Sequence, residues 1–462
     1  MNQLIQSKNF TTFIVSAAAL FCFGLLPKAE AVSPPPDGGY AGGNTAEGTD
    51  ALLSLSSGIW NTALGFEALN HDTTGKDNTA TGVRALFSDT SGSNNTATGV
   101  YALYGNTIGW YNNAVGAFAL ANNTEGNYNT ANGYAALYHN TTGIYNTAIG
   151  FAALFNDNGP GQNTAVGYRA LFSNAGTVNN TAVGFRALSS NTFGNLNTAN
   201  GSDALLTNTT GAGNTANGAL ALYTNTGGSG NTANGIDALQ DNTTGDYNTA
   251  NGDSALQLNT TGARNTAIGL DAGRNQTTGS DNVYIGVGAS GVAGENNACY
   301  IASIFGQTSA AGIPVLINSS NKLGTTTSSK RFKEEIKPMD KASEALLALK
   351  PVTFRYKKEI DPHGTPQFGL VAEDVEKVNP DLVVRDAEGK VNTVRYDQVN
   401  AMLLNEFLKE HRKVEEQETT IAELKTGMET VLARLKEHDS KIQKVNAQIE
   451  VSTAAAPRLA GH

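Results

Sequence analysis

The sequence has little cysteine, little charge and little histidine, and each shortage excludes a class of protein. Only Cys22 and Cys299 occur in 462 residues, which excludes a scaffold rich in disulfides. Charged residues make up 16% of the chain, the net charge is −10, and no run of three or more Lys or Arg lies beside aromatic residues. We therefore expect no nucleic-acid partner, because a phosphate backbone binds basic surfaces. The six scattered histidines predict no metal site and no cofactor.

The N-terminus has the layout of a secretory signal peptide. Lys8 precedes an apolar stretch from Phe13 to Leu26, and Ala29-Glu30-Ala31 has the form of an A-x-A cleavage site. A membrane anchor is the alternative, but the stretch is shorter than the ~20 residues that a spanning helix needs. We predict a signal peptide over 1–31, a linker over 32–43 and no transmembrane anchor. The protein is then exported to the cell surface or beyond, or belongs to a virion if it is viral.

A unit of seventeen residues repeats through the centre of the chain. It reads Asn-Thr-Ala-x-Gly-x-x-Ala-Leu, and no helical repeat has this length. Glycine and an Asn-rich turn in each unit would also break a helix. The pattern predicts a β-solenoid over 44–299, in which each unit is a coil of two short strands, and a β-rich neck over 300–327. The fifteen leading residues are Asn44, Asn61, Asn78, Asn95, Asn112, Asn129, Asn146, Asn163, Asn180, Asn197, Asn214, Asn231, Asn248, Asn265 and Asn282.

The repeated residues are predicted to be structural. Ala at position three and Gly at position five, as in Ala148 and Gly150, let neighbouring backbones approach closely. Leu at position nine, as in Leu154, forms an apolar ladder, and the leading Asn residues stack their amides. Ice-binding solenoids also carry columns of Thr, but they use flat Thr pairs, and here Ala follows each Thr. After cleavage of the leader Cys299 stands alone, and we expect a buried small side chain there.

The repeat resembles the head repeats of YadA-type trimeric autotransporter adhesins, which carry short Asn-x-x-x-Gly coils. The resemblance covers residues 44 to about 300. It implies a left-handed β-roll and the association of three chains.

Composition changes abruptly after a polar segment at 325–329, and the following chain is charged. Alternating and helical patterns there predict a small α+β domain. The predicted elements are a helix at 342–349 capped by Asp340, strands at 352–356 and 367–371, a helix at 373–378, and a strand at 391–394. The fold class is therefore mainly β: a solenoid stalk, a small α+β domain and a C-terminal helix.

Four motifs in this region carry a second resemblance. They are the segment 328–336 (SSKRFKEEI), Phe354-Arg355-Tyr356, the segment 368–375 (FGLVAEDV) and Tyr396-Asp397. Together they resemble the intramolecular chaperone auto-processing peptidase domain of phage endosialidases and tail fibres, over residues 328–412. The resemblance implies that the domain trimerises, guides folding of the fibre before it, and is released by one self-cleavage.

The resemblance also implies the residues of that cleavage. The nucleophile is Ser328, the general base is Lys333, and the bond that breaks joins Thr327 to Ser328. The family usually has Asp where this chain has Ser329, which leaves the efficiency of cleavage open. By spacing alone, Ser328 would be a linker residue and Lys333 a solvated side chain.

The chemistry of such a pair sets conditions on its surroundings. A serine hydroxyl is a weak nucleophile until a base takes its proton, and lysine is that base only if burial lowers its pKa from about 10.4. A separation of five places Ser328 and Lys333 on different faces of a helix or strand, so they meet across a turn or between chains. We predict a single-turnover serine endopeptidase completed by trimer assembly. The alternative is a structural adhesin or tail-fibre protein that trimerises without cleaving.

The chain continues from Asp397 as a charged helix with a heptad pattern. We predict a coiled coil over 397–450 and a tail over 451–462. Isoleucine at several a positions favours three strands, so the expected partners are two further copies of this chain. A host or surface receptor of unidentified type is a further expected partner. The alternative is a single amphipathic helix folded onto the domain. The seam residues are Phe407, Val414, Ile421, Met428, Leu435, Ile442 and Ile449.

Overall fold

The computed structural model describes residues 40–307, 313–318, 320–386 and 388–454. They form two compact units that divide after residue 308. The predicted signal peptide lies outside the described residues, as do most of the predicted linker and the tail from residue 455 onward.

The first unit is a single parallel sheet of sixteen short strands, in which each strand pairs with the next along the chain. Thr45 pairs with Thr62, and this step of seventeen residues holds until the last pair, in which Val283 meets Cys299. The predicted mainly β fold and its solenoid are confirmed. The strands are β1 Thr45–Glu47, β2 Thr62–Leu64, β3 Thr79–Thr81, β4 Thr96–Thr98, β5 Asn113–Val115, β6 Thr130–Asn132, β7 Thr147–Ile149, β8 Thr164–Val166, β9 Thr181–Val183, β10 Thr198–Asn200, β11 Thr215–Asn217, β12 Thr232–Asn234, β13 Thr249–Asn251, β14 Thr266–Ile268, β15 Val283–Ile285 and β16 Cys299–Ile301.

Each rung contributes one strand and not the two that the sequence predicted. Turns form the rest of the coil, where only isolated bridges such as Ile59 to Lys76 have strand geometry. Backbone bonds still join successive rungs along these turns, for example from the N–H of Leu69 to the carbonyl of Ala85 at 3.0 Å. Two turns per rung leave too few consecutive residues for a second strand.

Alanine and leucine form the core of the solenoid, as predicted. In a typical rung Ala63, Ala68 and Leu69 are fully buried. Burying a leucine side chain contributes roughly 1.5–3 kcal/mol, and here each Leu is covered by the rungs above and below it. Stability therefore depends on stacking, as in other repeat proteins.

Two ladders of buried side-chain amides run through the coil, and the sequence predicted one of them. In the first, Asn61 Oδ1 accepts a bond from the backbone N–H of Asn78 at 3.0 Å, and Asn78 Nδ2 donates to the Gly92 carbonyl at 2.8 Å. In the second, at position twelve of the unit, Asn123 Nδ2 donates to Asn106 Oδ1 at 2.8 Å. These bonds satisfy polar groups that would be costly to bury unpaired.

Acidic residues replace the amide at three rungs of the second ladder. Asp72, Asp89 and Asp157 are fully buried there. Burial raises the pKa of Asp72 and of Asp157 to about 6. Burial, together with the neighbouring charge of Asp72, raises the pKa of Asp89 to about 8. The amide of the next rung donates to Asp89 Oδ1 and to Asp157 Oδ1, whereas Asp89 can donate to Asp72 in this way only when it carries a proton.

Several residues in the turns have positive φ angles, which residues other than glycine seldom adopt. The ladder residues Leu69 and Leu86 have φ of 48° and 51°, in the left-handed region. Gly99 has φ of +141°, and a Cβ there would lie 2.5 Å from the carbonyl oxygen of Gly116. This position therefore needs glycine, because two backbones approach each other too closely for any side chain.

Cys299 is exposed, so the expectation of a buried thiol was wrong. It occupies the outward position of β16 that Thr holds in earlier strands, and Tyr300 follows it at the inward position. Tyr300 stacks on the fully buried ring of Tyr284, with ring centroids 5.8 Å apart. The sheet thus ends at Ile301, inside the segment predicted as the neck.

The second unit contains three small antiparallel sheets and a long helix. Its 3₁₀ helices are Lys330–Phe332, Asp340–Ala348 and Pro380–Leu382. Its other elements are β17 Leu316–Ile317, β18 Leu323–Gly324, β19 Val352–Phe354, β20 Gln367–Gly369, helix α1 Ala372–Val378, β21 Val383–Arg385, β22 Val391–Val394 and helix α2 Tyr396–Ala454. The predicted cap at Asp340 was wrong: this residue begins a 3₁₀ helix whose N-cap, Met339, makes no side-chain cap bond.

A small core holds this unit together. Val375 of α1 packs with Leu382, Val383, Val394 and Met402, the one buried residue of α2. A core of five buried side chains is small for a domain, since burying each contributes roughly 1.5–3 kcal/mol. The unit is therefore expected to gain stability from further association.

Candidate functional site

The predicted cleavage site lies on exposed chain at the start of the second unit. Thr327 and Ser328 have no regular secondary structure, and the short 3₁₀ helix Lys330–Phe332 follows them. Ser329 is the N-cap of this helix, and Lys333 is its C-cap and donates its backbone N–H to the Lys330 carbonyl at 3.1 Å. The predicted nucleophile and base therefore flank one turn, which is one of the two arrangements in which they could meet.

The side chains of Ser328 and Lys333 are both exposed. Within the described residues, neither side chain makes a hydrogen bond or an ion pair. A lysine that serves as a general base needs a desolvated environment, and one chain alone does not supply it here. Phe332, which precedes Lys333 in the chain, has an exposed ring, and the Arg331 guanidinium lies 4.6 Å from its centroid.

A second cluster of polar residues joins two elements that are far apart in sequence. The buried hydroxyl of Ser343 accepts bonds from Asn405 Nδ2 at 2.7 Å and from Lys409 Nζ at 3.3 Å, and it also bonds to the Glu406 carboxylate. Lys409 Nζ donates to Glu406 Oε1 at 2.7 Å. The Lys409 and Ser343 bonds lower the pKa of Glu406.

This cluster is a structural clamp and not a catalytic pair. Lys409 Nζ and the Ser343 hydroxyl both donate to the Glu406 carboxylate, so the three groups bond to one another and form no separate nucleophile and base. The clamp fastens the 3₁₀ helix Asp340–Ala348 to the first turns of α2. Sequence reasoning missed it because its partners lie more than sixty residues apart and no local pattern links them.

The predicted coiled-coil seam is uncovered along α2. All seven seam residues are exposed, from 45% at Val414 to 66% at Phe407 and Met428. An apolar groove opens beside the start of the seam, lined by Leu346, Phe368 and Leu403. The second unit thus presents exposed apolar residues at heptad spacing along its helix.

Comparison with known families identifies the segment that follows the solenoid. Residues 328–384 match the family model described as chaperone of endosialidase, which is classed among the peptidases. No curated protein and no solved structure gives a significant match to the chain. The match begins at Ser328, the residue that the sequence predicts to follow the cleaved bond.

The chaperone of endosialidase domain agrees with the resemblance seen in the sequence. A domain of this family after a β-solenoid fits a tail-fibre-like protein, and the family implies self-cleavage in general terms. The match does not include the repeats, so their likeness to YadA-type heads stays a prediction. In the part of the chain that the structure describes, no helix combines the length and apolarity needed to cross a bilayer. The same residues include no cluster of three or more His, Cys, Asp or Glu that could hold a metal.

Proposed function

We propose that this chain is an exported, trimeric fibre protein whose C-terminal domain aligns three copies and then releases itself by cleaving between Thr327 and Ser328. The observation that carries the proposal is the chaperone of endosialidase match, which begins at Ser328 and lies C-terminal to a β-solenoid that ends at Ile301. The predicted leader peptide supports export, and the mature solenoid would serve attachment or display on a surface.

The uncovered seam of α2 supports trimerisation. Residues such as Ile421 and Ile442 are exposed by 62% and 56%, and no part of the chain that the structure describes covers them. Apolar residues at strict heptad spacing bury their side chains against copies of the same helix. Parallel association of α2 would bring three solenoids together in the same direction.

The proposed cleavage is an acyl transfer followed by hydrolysis. Neutral Lys333 Nζ accepts the proton of the Ser328 hydroxyl while Ser328 Oγ attacks the carbonyl carbon of Thr327. The C–N bond breaks as Lys333 returns the proton to the Ser328 nitrogen, which leaves an ester between Thr327 and Ser328 Oγ. Water then hydrolyses the ester, giving a carboxylate at Thr327 and a free hydroxyl at Ser328. Because Lys333 is exposed in one chain, assembly is proposed to bury it.

The second candidate function is a structural adhesin or fibre protein that trimerises without cleavage. Ser329 in place of the usual Asp favours it, and so does the absence, within the described residues of one chain, of any bond between Ser328 and Lys333. A general protease acting on other proteins is not supported, because a turn on an exposed segment offers no substrate cleft.

The test is a denaturing gel and intact mass of the full chain expressed with Ser328→Ala or Lys333→Met. The parent protein is expected to give a C-terminal fragment that begins at Ser328, and both variants are expected to stay uncleaved. Ser329→Ala and Lys330→Met are matched controls, because these residues lie in the same turn and are proposed to have no role in the chemistry. An uncleaved parent would refute the peptidase proposal in favour of the structural one, and fragments from both variants would refute the dyad.

A further inference from the structure

An exposed apolar stripe runs along the outer edge of the solenoid sheet. It consists of positions four and six of the unit, which lie on either side of the close-packed glycine at position five. Leu64, Val83, Val115, Phe151, Tyr168 and Phe185 belong to it, and each is 37–48% exposed. At ~4.8 Å per strand, the eight rungs from Leu64 to Phe185 extend this stripe over about 35 Å. Monomeric proteins seldom expose so continuous an apolar surface.

The stripe is ordered within one chain. Phe151, Tyr168 and Phe185 stack in parallel with ring centroids 5.2–5.3 Å apart. Their faces are covered by one another and their edges point outward. The stripe therefore offers a flat, rigid surface that loses little side-chain entropy on being covered.

Charge is almost absent from the stripe. Between Leu64 and Ile301 one charged residue, Asp253, occupies position four or six. Charges lie at the adjacent position seven, as in Arg84, which pairs with Glu67 at 2.5 Å, and Arg186, which pairs with Asp203 at 2.8 Å. The absence of charge is thus a property of the stripe and not of the whole surface.

We infer that the stripe faces the symmetry axis between parallel copies of this chain, packed rung against identical rung. The inference rests on the proposed trimer and names the surface by which the solenoids would meet. Parallel, in-register copies bring each residue close to the same residue of its partners, so any charge would meet a like charge. A different partner protein would allow complementary charges and would not require their absence.

The polar part of the stripe fits the same arrangement. At four successive rungs position four holds asparagine, and Asn217 Nδ2 donates to Asn234 Oδ1 at 2.8 Å within the chain. An amide carries both donors and an acceptor, so it can bond to its own copy across an axis, whereas a carboxylate cannot. Apolar residues return at Ile268 and Ile285 toward the end of the sheet.

The test is cysteine cross-linking of the full chain with Cys22→Ser and Cys299→Ser as background. Val115→Cys and Val183→Cys lie on the stripe, and Tyr128→Cys is the matched control, an exposed aromatic in a separate stack with Tyr111 and Tyr145. Mild oxidation is expected to give disulfide-linked pairs of chains from both stripe variants, at least about ten times more than from Tyr128→Cys.

The oligomer mass of each variant, measured by light scattering, separates the two ways to fail. A trimer whose stripe variants do not cross-link, or cross-link no more than Tyr128→Cys, would overturn the stripe and leave the trimer standing. A single-chain mass for the parent would overturn both. As a second measurement, Tyr168→Glu is expected to lower the melting temperature of the solenoid by several degrees more than Tyr128→Glu, and equal shifts would contradict the inference.

Discussion

The solenoid and helix α2 cover their apolar side chains in opposite ways. In the solenoid, each buried Leu, such as Leu154, lies between rungs of its own chain and is fully covered. In α2, the predicted seam residues from Phe407 to Ile449 are uncovered in one chain. The comparison teaches that one region completes its core within one chain once its rungs stack, whereas the other leaves its seam exposed and is proposed to cover it with copies of itself.

The solenoid and α2 also differ in the conformational free energy that is needed to order them. A rung must place residues such as Leu69 in the left-handed region before its contacts form, whereas a helix closes local hydrogen bonds as it grows. Because a rung must be ordered before the contacts that stabilise it can form, a stack of rungs is expected to fold slowly. Its strand edges are exposed during that time. A separate domain that holds copies together during this period would therefore have a physical use.

The largest expected effect comes from breaking the stack at its closest approach. Gly99→Ala places a Cβ about 2.5 Å from the carbonyl oxygen of Gly116, on a backbone with φ of +141°. We expect loss of more than about 4 kcal/mol and a solenoid broken at this rung, because backbone atoms cannot move aside. Circular dichroism melting and limited proteolysis would measure it.

Gly213→Ala is the matched control for that change. Gly213 also has positive φ, +67°, but the nearest atom to a Cβ there is the Gly230 nitrogen at 4.0 Å. A loss of roughly 1 kcal/mol is expected from backbone strain alone. Equal melting temperatures for the Gly99 and Gly213 variants would show that close stacking does not limit the first unit.

Sequence reasoning succeeded where one residue type recurs at a fixed step. The seventeen-residue period predicted the solenoid, the Leu ladder and the first Asn ladder. It missed the second ladder, because position twelve changes among Asn106, Asp89 and Gln276 and resembles an exposed turn. It also predicted two strands per rung, because the residues alone do not say how tightly the turns fold.

The position of the candidate site could be predicted from the family resemblance, but the surroundings of its side chains could not. Motif order predicted the domain boundary at Ser328, and the family match begins there. The surroundings of Lys333 could not be predicted, because in the proposed mechanism they are completed by neighbouring copies. The Ser343 clamp was missed since Glu406 and Lys409 look like ordinary surface charges of a helix.

The next largest effect tests whether the exposed seam of α2 holds copies of the chain together. Ile421→Asp combined with Ile442→Asp places a ring of like charges at two levels of the proposed seam, where each buried isoleucine contributes roughly 1.5–3 kcal/mol. The mass measured by light scattering is expected to fall from three chains to one. Thr426→Asp, at the outer f position, adds a charge to the same helix and should leave the mass unchanged. An unchanged mass in the double variant would mean that α2 does not hold the copies together.

The smallest expected effect tests how the protonation of a buried carboxyl changes the stability of the solenoid. Burial raises the pKa of Asp89 to about 8 and that of Asp72 to about 6, so the folded state binds protons more tightly than the unfolded chain. Stability from these groups is full below about pH 4 and is lost as the pH rises through 6 and then 8. Asp89→Asn replaces the titrating group by an amide that can donate to Asp72 Oδ1 at every pH, as Asn106 and Asn174 do to the Asp of the preceding rung. We expect the variant to melt a few degrees higher at pH 8.5 and to match the parent at pH 4.

The control for this change is Asp77→Asn, which removes an exposed carboxylate from the same part of the solenoid. It alters net charge equally but leaves the buried ladder intact, so its melting temperature should follow that of the parent at both pH values. If Asp77→Asn and Asp89→Asn behaved alike, the effect would belong to overall charge. If instead only Asp89→Asn weakened the dependence of the melting temperature on pH, the effect would belong to this buried carboxyl. A proton on Asp89 would then supply its bond to Asp72, just as the amide of Asn106 supplies the bond to Asp89.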